Sequence, residues 1–146
     1  MTGGAGFLLA VLWFDLMFDA QVLAHRHGDL PEPVLASISG YYRRVTTAAR
    51  PMNRLIATVM LATIIAIGVQ IAGGDAPRWV GWTSLAFAGS GILLAVGRVV
   101  PRAVRLGGRG DTIDVQTRLA RSIFRDHVVC LAAIGSVLAV QLAFGR

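Results

Sequence analysis

The sequence predicts an all-α fold: an integral membrane antiparallel four-helix bundle, with an amphipathic cytoplasmic-surface helix between helices 1 and 2. Three observations predict it. Hydrophobic residues fill 55% of the 146 positions and charged residues only 15%, where a soluble domain carries roughly a quarter charged residues. Four stretches come close to the roughly 20 apolar residues that a helix needs to cross about 30 Å of hydrocarbon. All 14 basic residues are Arg, and twelve of them fall in two of the connections. The same composition, with a mean hydropathy of +0.64, excludes a disordered chain, and a single cysteine, Cys130, excludes a disulfide scaffold.

One domain, 1–146, is expected, with spans at about 7–24, 55–72, 79–97 and 127–144 and connections at 25–54 and 98–126. The first span contains Asp15 and Asp19. A cleavable signal peptide is its rival reading, but the start Met1–Gly6 has no charged side chain and the apolar stretch holds two acids, which disfavours it. The second span carries no charge. Positive charge stays on the cytoplasmic side of a membrane. The connections holding Arg26, Arg43, Arg44, Arg50 and Arg54, and then Arg98 through Arg125, are therefore expected in the cytoplasm of a bacterial-type inner membrane, with both termini outside. Trp79 and Trp82 fall at the outer interface, where indoles prefer to sit.

The first connection is too long to be structureless. After Pro31 and Pro33, apolar residues recur at Val34, Ile38, Tyr41 or Tyr42, Val45 and Ala49. That spacing predicts an amphipathic helix over 34–49, lying along the inner membrane surface and broken at Pro51. The second connection opens at Pro101 and passes through the flexible Gly107-Gly-Arg-Gly110. Asp111 or Thr112 then caps a helix whose positive N-terminus Asp114 reinforces. This helix is expected to run on through the fourth span to Phe144, about 50 Å. Arg118, Arg121 and Arg125 share one of its faces. Arg43, Arg44, Arg118 and Arg121 are expected against anionic lipid headgroups, each worth about 1 kcal/mol there.

Asp15 and Asp19, four apart, share a helix face. Each costs roughly 2.5–3.5 kcal/mol at the centre of a span, whereas the apolar side chains of this span return only about 3–6 kcal/mol in all. The pair must therefore face other helices. It reads either as a proton or cation site or as a structural anchor, with Asp19 paired to Arg54, Arg98 or Arg125. Asn53, Arg54, Arg98, Arg125, Asp126 and His127, with His25, make a candidate polar cluster at the cytoplasmic end, where His127 is suited to proton relay. His25 and His27, with Asp29 and Glu32, invite a metal reading, but nothing in their spacing fixes a geometry, and no metal or cofactor is expected. Gly135, Ala139 and Ala143, and Gly91 with Ala95, are small-residue seams that let helices approach closely, within the bundle or in a dimer.

In outline, the four spans with an acidic residue in the first resemble the small multidrug resistance transporters. The long connection between spans one and two and the lack of a matching aromatic motif in span three depart from that family, so no residue is carried over. The chain also looks loosely like small four-span membrane oxidoreductases, without their identifying positions. The leading expectation is a non-catalytic bundle that self-associates or joins a larger membrane complex, with anionic lipid and not nucleic acid as partner. Proton-coupled transport of a small cationic or apolar solute by Asp15 and Asp19 comes second. A membrane-embedded enzyme using Asp19, Arg125, Asp126 and His127 comes third.

Overall fold

The structure, a computed structural model, describes residues 2–48, 50–74 and 76–145. Among them the chain is helical and has no strand. Four stretches are long and apolar enough to cross a bilayer: Thr2–Ala24, Pro51–Gly73, Arg78–Gly108 and Ile113–Phe144.

The first helix, α1 (Thr2–Asp19), tightens into a 3-10 stretch at Ala20–Ala24. The next, α2 (Glu32–Arg43), starts where Pro33 fits the first turn, because the amide it lacks has no partner there in any helix. A wider π-helical turn, Arg44–Ala48, follows and leads to α3 (Arg50–Gly73). Pro51 has no N–H to offer the preceding turn. The Thr46 carbonyl there accepts instead from the Asn53 side-chain amide at 2.5 Å. Gly74, at φ 72°, closes α3 in the left-handed conformation that glycine tolerates.

The expectation that Pro101 opens a connection is corrected by the structure. Helix α4 (Arg78–Leu94) continues through a π-helical turn at Ala95–Val99 into α5 (Val100–Gly108). The widened turn accommodates the proline's missing donor and bulky ring, so the chain stays helical. Reversal comes only at Gly108–Thr112, where Arg109 has φ 53°. The last helix, α6 (Ile113–Phe144), runs unbroken for 32 residues, about 48 Å. The expected side-chain cap is not formed: Thr112 stands at the N-cap but donates its hydroxyl to the Asp114 carboxylate, and the Asp111 carboxylate accepts from Arg105 instead of from the helix amides.

Helix α6 packs against both α1 and α4, and α3 against α4 and α1. Ala5, Leu8, Ile67, Ala88, Ile134 and Val137 form the core between these four. A second core lies at the Arg-rich end, where α2 packs on α5 and α6 through Leu35, Ile38, Tyr42, Ala103, Leu106 and Ile123. The helix expected to lie along the membrane surface is thus built into the chain. Its buried face is Leu35, Ile38, Ser39 and Tyr42, with Val34, Tyr41 and Val45 at the flanks. The expected endpoint Ala49 lies outside the described residues. A Cβ on Gly107 would stand 2.9 Å from the Arg43 backbone nitrogen, a measure of how closely α5 approaches α2. Arg109 adds an ion pair to Glu32, and the Leu30 amide donates to Thr117 Oγ1 at 3.0 Å. Large apolar side chains also face outward along the long helices, among them Trp13, Leu61, Val69 and Leu93.

Candidate functional site

Asp15 and Asp19 lie one helical turn apart on α1 and both turn inward; Asp19 is fully buried. The Arg partner expected for Asp19 is not there. Instead His127 of α6 places Nδ1 2.6 Å from Asp19 Oδ2, and Tyr42 donates its hydroxyl to Asp19 Oδ1 at 2.5 Å. The other face of the imidazole points at Asp15, with Nε2 3.7 Å from Oδ2. Tyr41 donates to Asp15 Oδ1 at 2.6 Å. One imidazole therefore sits between two carboxylates, and adjacent tyrosines on α2 supply one hydroxyl to each acid. Phe18 stacks on Tyr41 with ring centroids 4.1 Å apart and holds the phenol in place. Burial, together with the neighbouring Asp15, holds the Tyr41 phenol well above the usual tyrosine range. Burial and Asp19 do the same for Tyr42. Both phenols thus remain proton donors at any physiological pH.

Asp15, Tyr41, Tyr42 and His127 form one wall of a cavity of about 350 Å³ between α1, α3, α4 and α6, and Asp19 lies outside its lining. Leu12, Ile56, Met60, Ile92 and Ile134 line the rest, with Thr46 and Asn53 at the Arg-rich end. The volume falls at the small end of the range for small-molecule sites. Among the described residues no Arg lies within ion-pair distance of Asp15 or Asp19. With both acids ionised and His127 protonated, the cluster carries one uncompensated negative charge. Burying such a charge costs several kcal/mol, and a bound proton or monovalent cation removes it. The arrangement can therefore hold and release a proton beside an apolar chamber.

No protein-family model, curated protein or solved structure matches the chain.

The polar cluster expected at this end divides in two. Asp126 and His127 are successive residues about 100° apart around α6, so they face different neighbours. Asp126 meets Arg102 at 2.8 Å and Arg98 at 3.7 Å, while His127 joins the two acids. Arg54 and Arg125 are exposed, and neither reaches His127. The enzyme constellation of Asp19, Arg125, Asp126 and His127 is accordingly not assembled. Cys130 borders the cavity and donates to the Gly91 carbonyl at 3.4 Å.

The four Arg expected at lipid headgroups differ in their surroundings. Arg43 and Arg44 are exposed, and Arg118 is exposed and pairs with Asp114 at 2.9 Å. Arg121 is half-buried, and its Nη2 donates to the His25 and Gly28 carbonyls at 2.7 Å each, fastening the connection after α1 onto α6. His25, His27, Asp29 and Glu32 do not converge. No group of three or more side chains placed to hold a metal ion occurs among the described residues. Tyr41, Tyr42 and Arg102 are the site residues that the sequence did not single out.

Proposed function

We propose that this chain is an integral membrane carrier that exchanges protons for a small, largely apolar cation. In this reading four antiparallel spans cross a bacterial-type inner membrane, with both termini outside and the Arg-rich end in the cytoplasm. The outward-facing apolar side chains of the long helices support burial in lipid, and the Arg distribution supports the orientation.

One observation carries the transport reading. Asp15 and His127 line one wall of a largely apolar cavity with Asp19 buried behind them, and with both acids ionised and the imidazole protonated the three groups are one positive charge short of neutrality. A proton on Asp15 neutralises the wall when the chamber is empty. An apolar cation does the same when it binds, so each displaces the other. The two tyrosine hydroxyls hold the carboxylates in position through both states.

The test uses proteoliposomes loaded with a fluorescent lipophilic cation and placed under an imposed pH gradient. Wild-type protein should move the cation against the proton gradient, and Asp15→Asn should abolish this movement while leaving the helical circular dichroism spectrum unchanged. Equal flux in the variant would remove the carrier reading.

Self-association is a second reading, supported by Ala139 and Ala143, small residues that α6 leaves exposed. The seam at Gly91 serves packing within the chain, where its Cβ position meets Ala133 at 3.4 Å. Crosslinking at Ala139→Cys in a Cys130→Ala background tests it: a dimer band supports self-association and its absence removes it.

A further inference from the structure

A cleft of about 880 Å³ opens on the Arg-rich end, on the side of α6 away from the cavity's aromatic pair. Six guanidinium groups line it, brought together from three separate parts of the chain. Arg26 comes from the connection after α1, Arg102 and Arg105 from α5, and Arg118, Arg121 and Arg125 from the first turns of α6. Three carboxylates answer them: Asp126 on Arg102, Asp111 on Arg105 and Asp114 on Arg118. Six cations against three anions leave an excess of three positive charges in one concavity. Arg26 and Arg125 have no carboxylate within ion-pair distance among the described residues. Like charges held this close repel one another, so the cleft favours an anion that several of them can share.

The chemistry narrows the anion. Guanidinium forks match the oxygen geometry of phosphate and give charge-assisted, bidentate hydrogen bonds. The cleft is also apolar in part, since Val22, Leu23, Leu119 and Phe124 line it alongside the Arg. A ligand that satisfies both surfaces carries a phosphate group next to a hydrocarbon chain. We infer that the cleft between α5 and the start of α6 is a binding site for a phosphate-bearing amphiphile of net negative charge, through Arg125 and Arg26 with Arg102 and Arg105 beside them. This is a built site and not the diffuse headgroup attraction of scattered surface Arg. It is independent of the carrier reading, because none of the six Arg belongs to the carboxylate–imidazole cluster.

The experiment titrates the purified full chain in dodecyl maltoside with dioctanoyl phosphatidylglycerol by calorimetry, with dioctanoyl phosphatidylcholine and inorganic phosphate as parallel arms. Saturable binding of the phosphatidylglycerol is expected, at least fivefold tighter than the phosphatidylcholine. Arg125→Gln and Arg26→Gln should each weaken it by about fivefold without changing the melting midpoint of the free protein. The pair Arg43→Gln and Arg44→Gln, exposed on another part of the surface, should leave it unchanged. If inorganic phosphate competes at millimolar concentration, the site takes soluble phosphate esters; if it does not, the site takes a lipid headgroup. Either outcome upholds phosphate recognition. Unsaturable binding, equal affinity for both lipids, or an equal loss in the Arg43 and Arg44 variants would overturn it.

Discussion

His127 Nδ1 lies 2.6 Å from Asp19 Oδ2, joining residues 108 positions apart and tying the last helix to the first. Removing the imidazole leaves a fully buried carboxylate with one hydroxyl partner. His127→Ala should therefore lower stability by about 3 kcal/mol, read as a fall in the melting midpoint of the detergent-solubilised protein. Arg98→Ala, on a side chain about half exposed, should cost less than about 1 kcal/mol. Equal effects of the two changes would show that the His127–Asp19 contact contributes little.

The two tyrosines should separate structure from function. Tyr42 is buried and donates to the fully buried Asp19, so Tyr42→Phe should destabilise by about 1–3 kcal/mol. Tyr41 donates to Asp15 at the cavity wall, so Tyr41→Phe should leave the melting midpoint nearly unchanged but shift the pH dependence of cation flux. A flux–pH profile identical to wild type would separate Tyr41 from the exchange.

Gly107 and Gly108 are adjacent and offer a matched comparison. A Cβ at Gly107 meets the Arg43 backbone at 2.9 Å, whereas one at Gly108 meets nothing within 4 Å. Gly107→Ala should push α5 off α2 and destabilise by about 1–3 kcal/mol. Gly108→Ala should be neutral or slightly stabilising. Denaturant midpoints of the two variants test this, and the order of the two is the informative result.

Arg105 donates twice to Asp111, holding the Asp111 carboxyl below the usual range. A depressed carboxylate contributes stability above its unfolded-state value and loses it as pH falls through the folded one. Protection of the amides around the Gly108–Thr112 reversal, corrected for the intrinsic exchange rate, should therefore hold near neutrality and fall only once the pH drops below the reference value of 3.8. Asp111→Asn should remove that acid-dependent step. An unchanged step would assign it to another group.

The four long helices were legible because apolar runs of this length leave little alternative, and the shared face of Asp15 and Asp19 follows from their spacing alone. The unbroken last helix was legible for the same reason: no proline falls between Ile113 and Phe144, and the one glycine there, Gly135, sits inside a long apolar run. Their partners were not legible. That His127 turns to the acids while Asp126 turns to Arg102 depends on how α6 is rotated against α1, which periodicity does not specify. Tyr41 and Tyr42 read only as the apolar face of a surface helix, since their hydroxyls gain meaning once α2 folds under α1. Pro101 looked like a boundary because the local rule for proline is strong. The widened turn before it is a backbone adjustment that composition does not reveal.

The length of α6 has a mechanical consequence. Its far end is clamped by the reciprocal amide bonds of Gln141 with Gln70, and by Ser84. Nothing interrupts the helix between Arg125 and His127, so a residue of the cleft and the imidazole of the buried cluster ride two positions apart on one continuous rod. The same element thus ties together three features of the molecule: the clamp at one end, the buried imidazole along its length and the Arg-lined concavity at the other end.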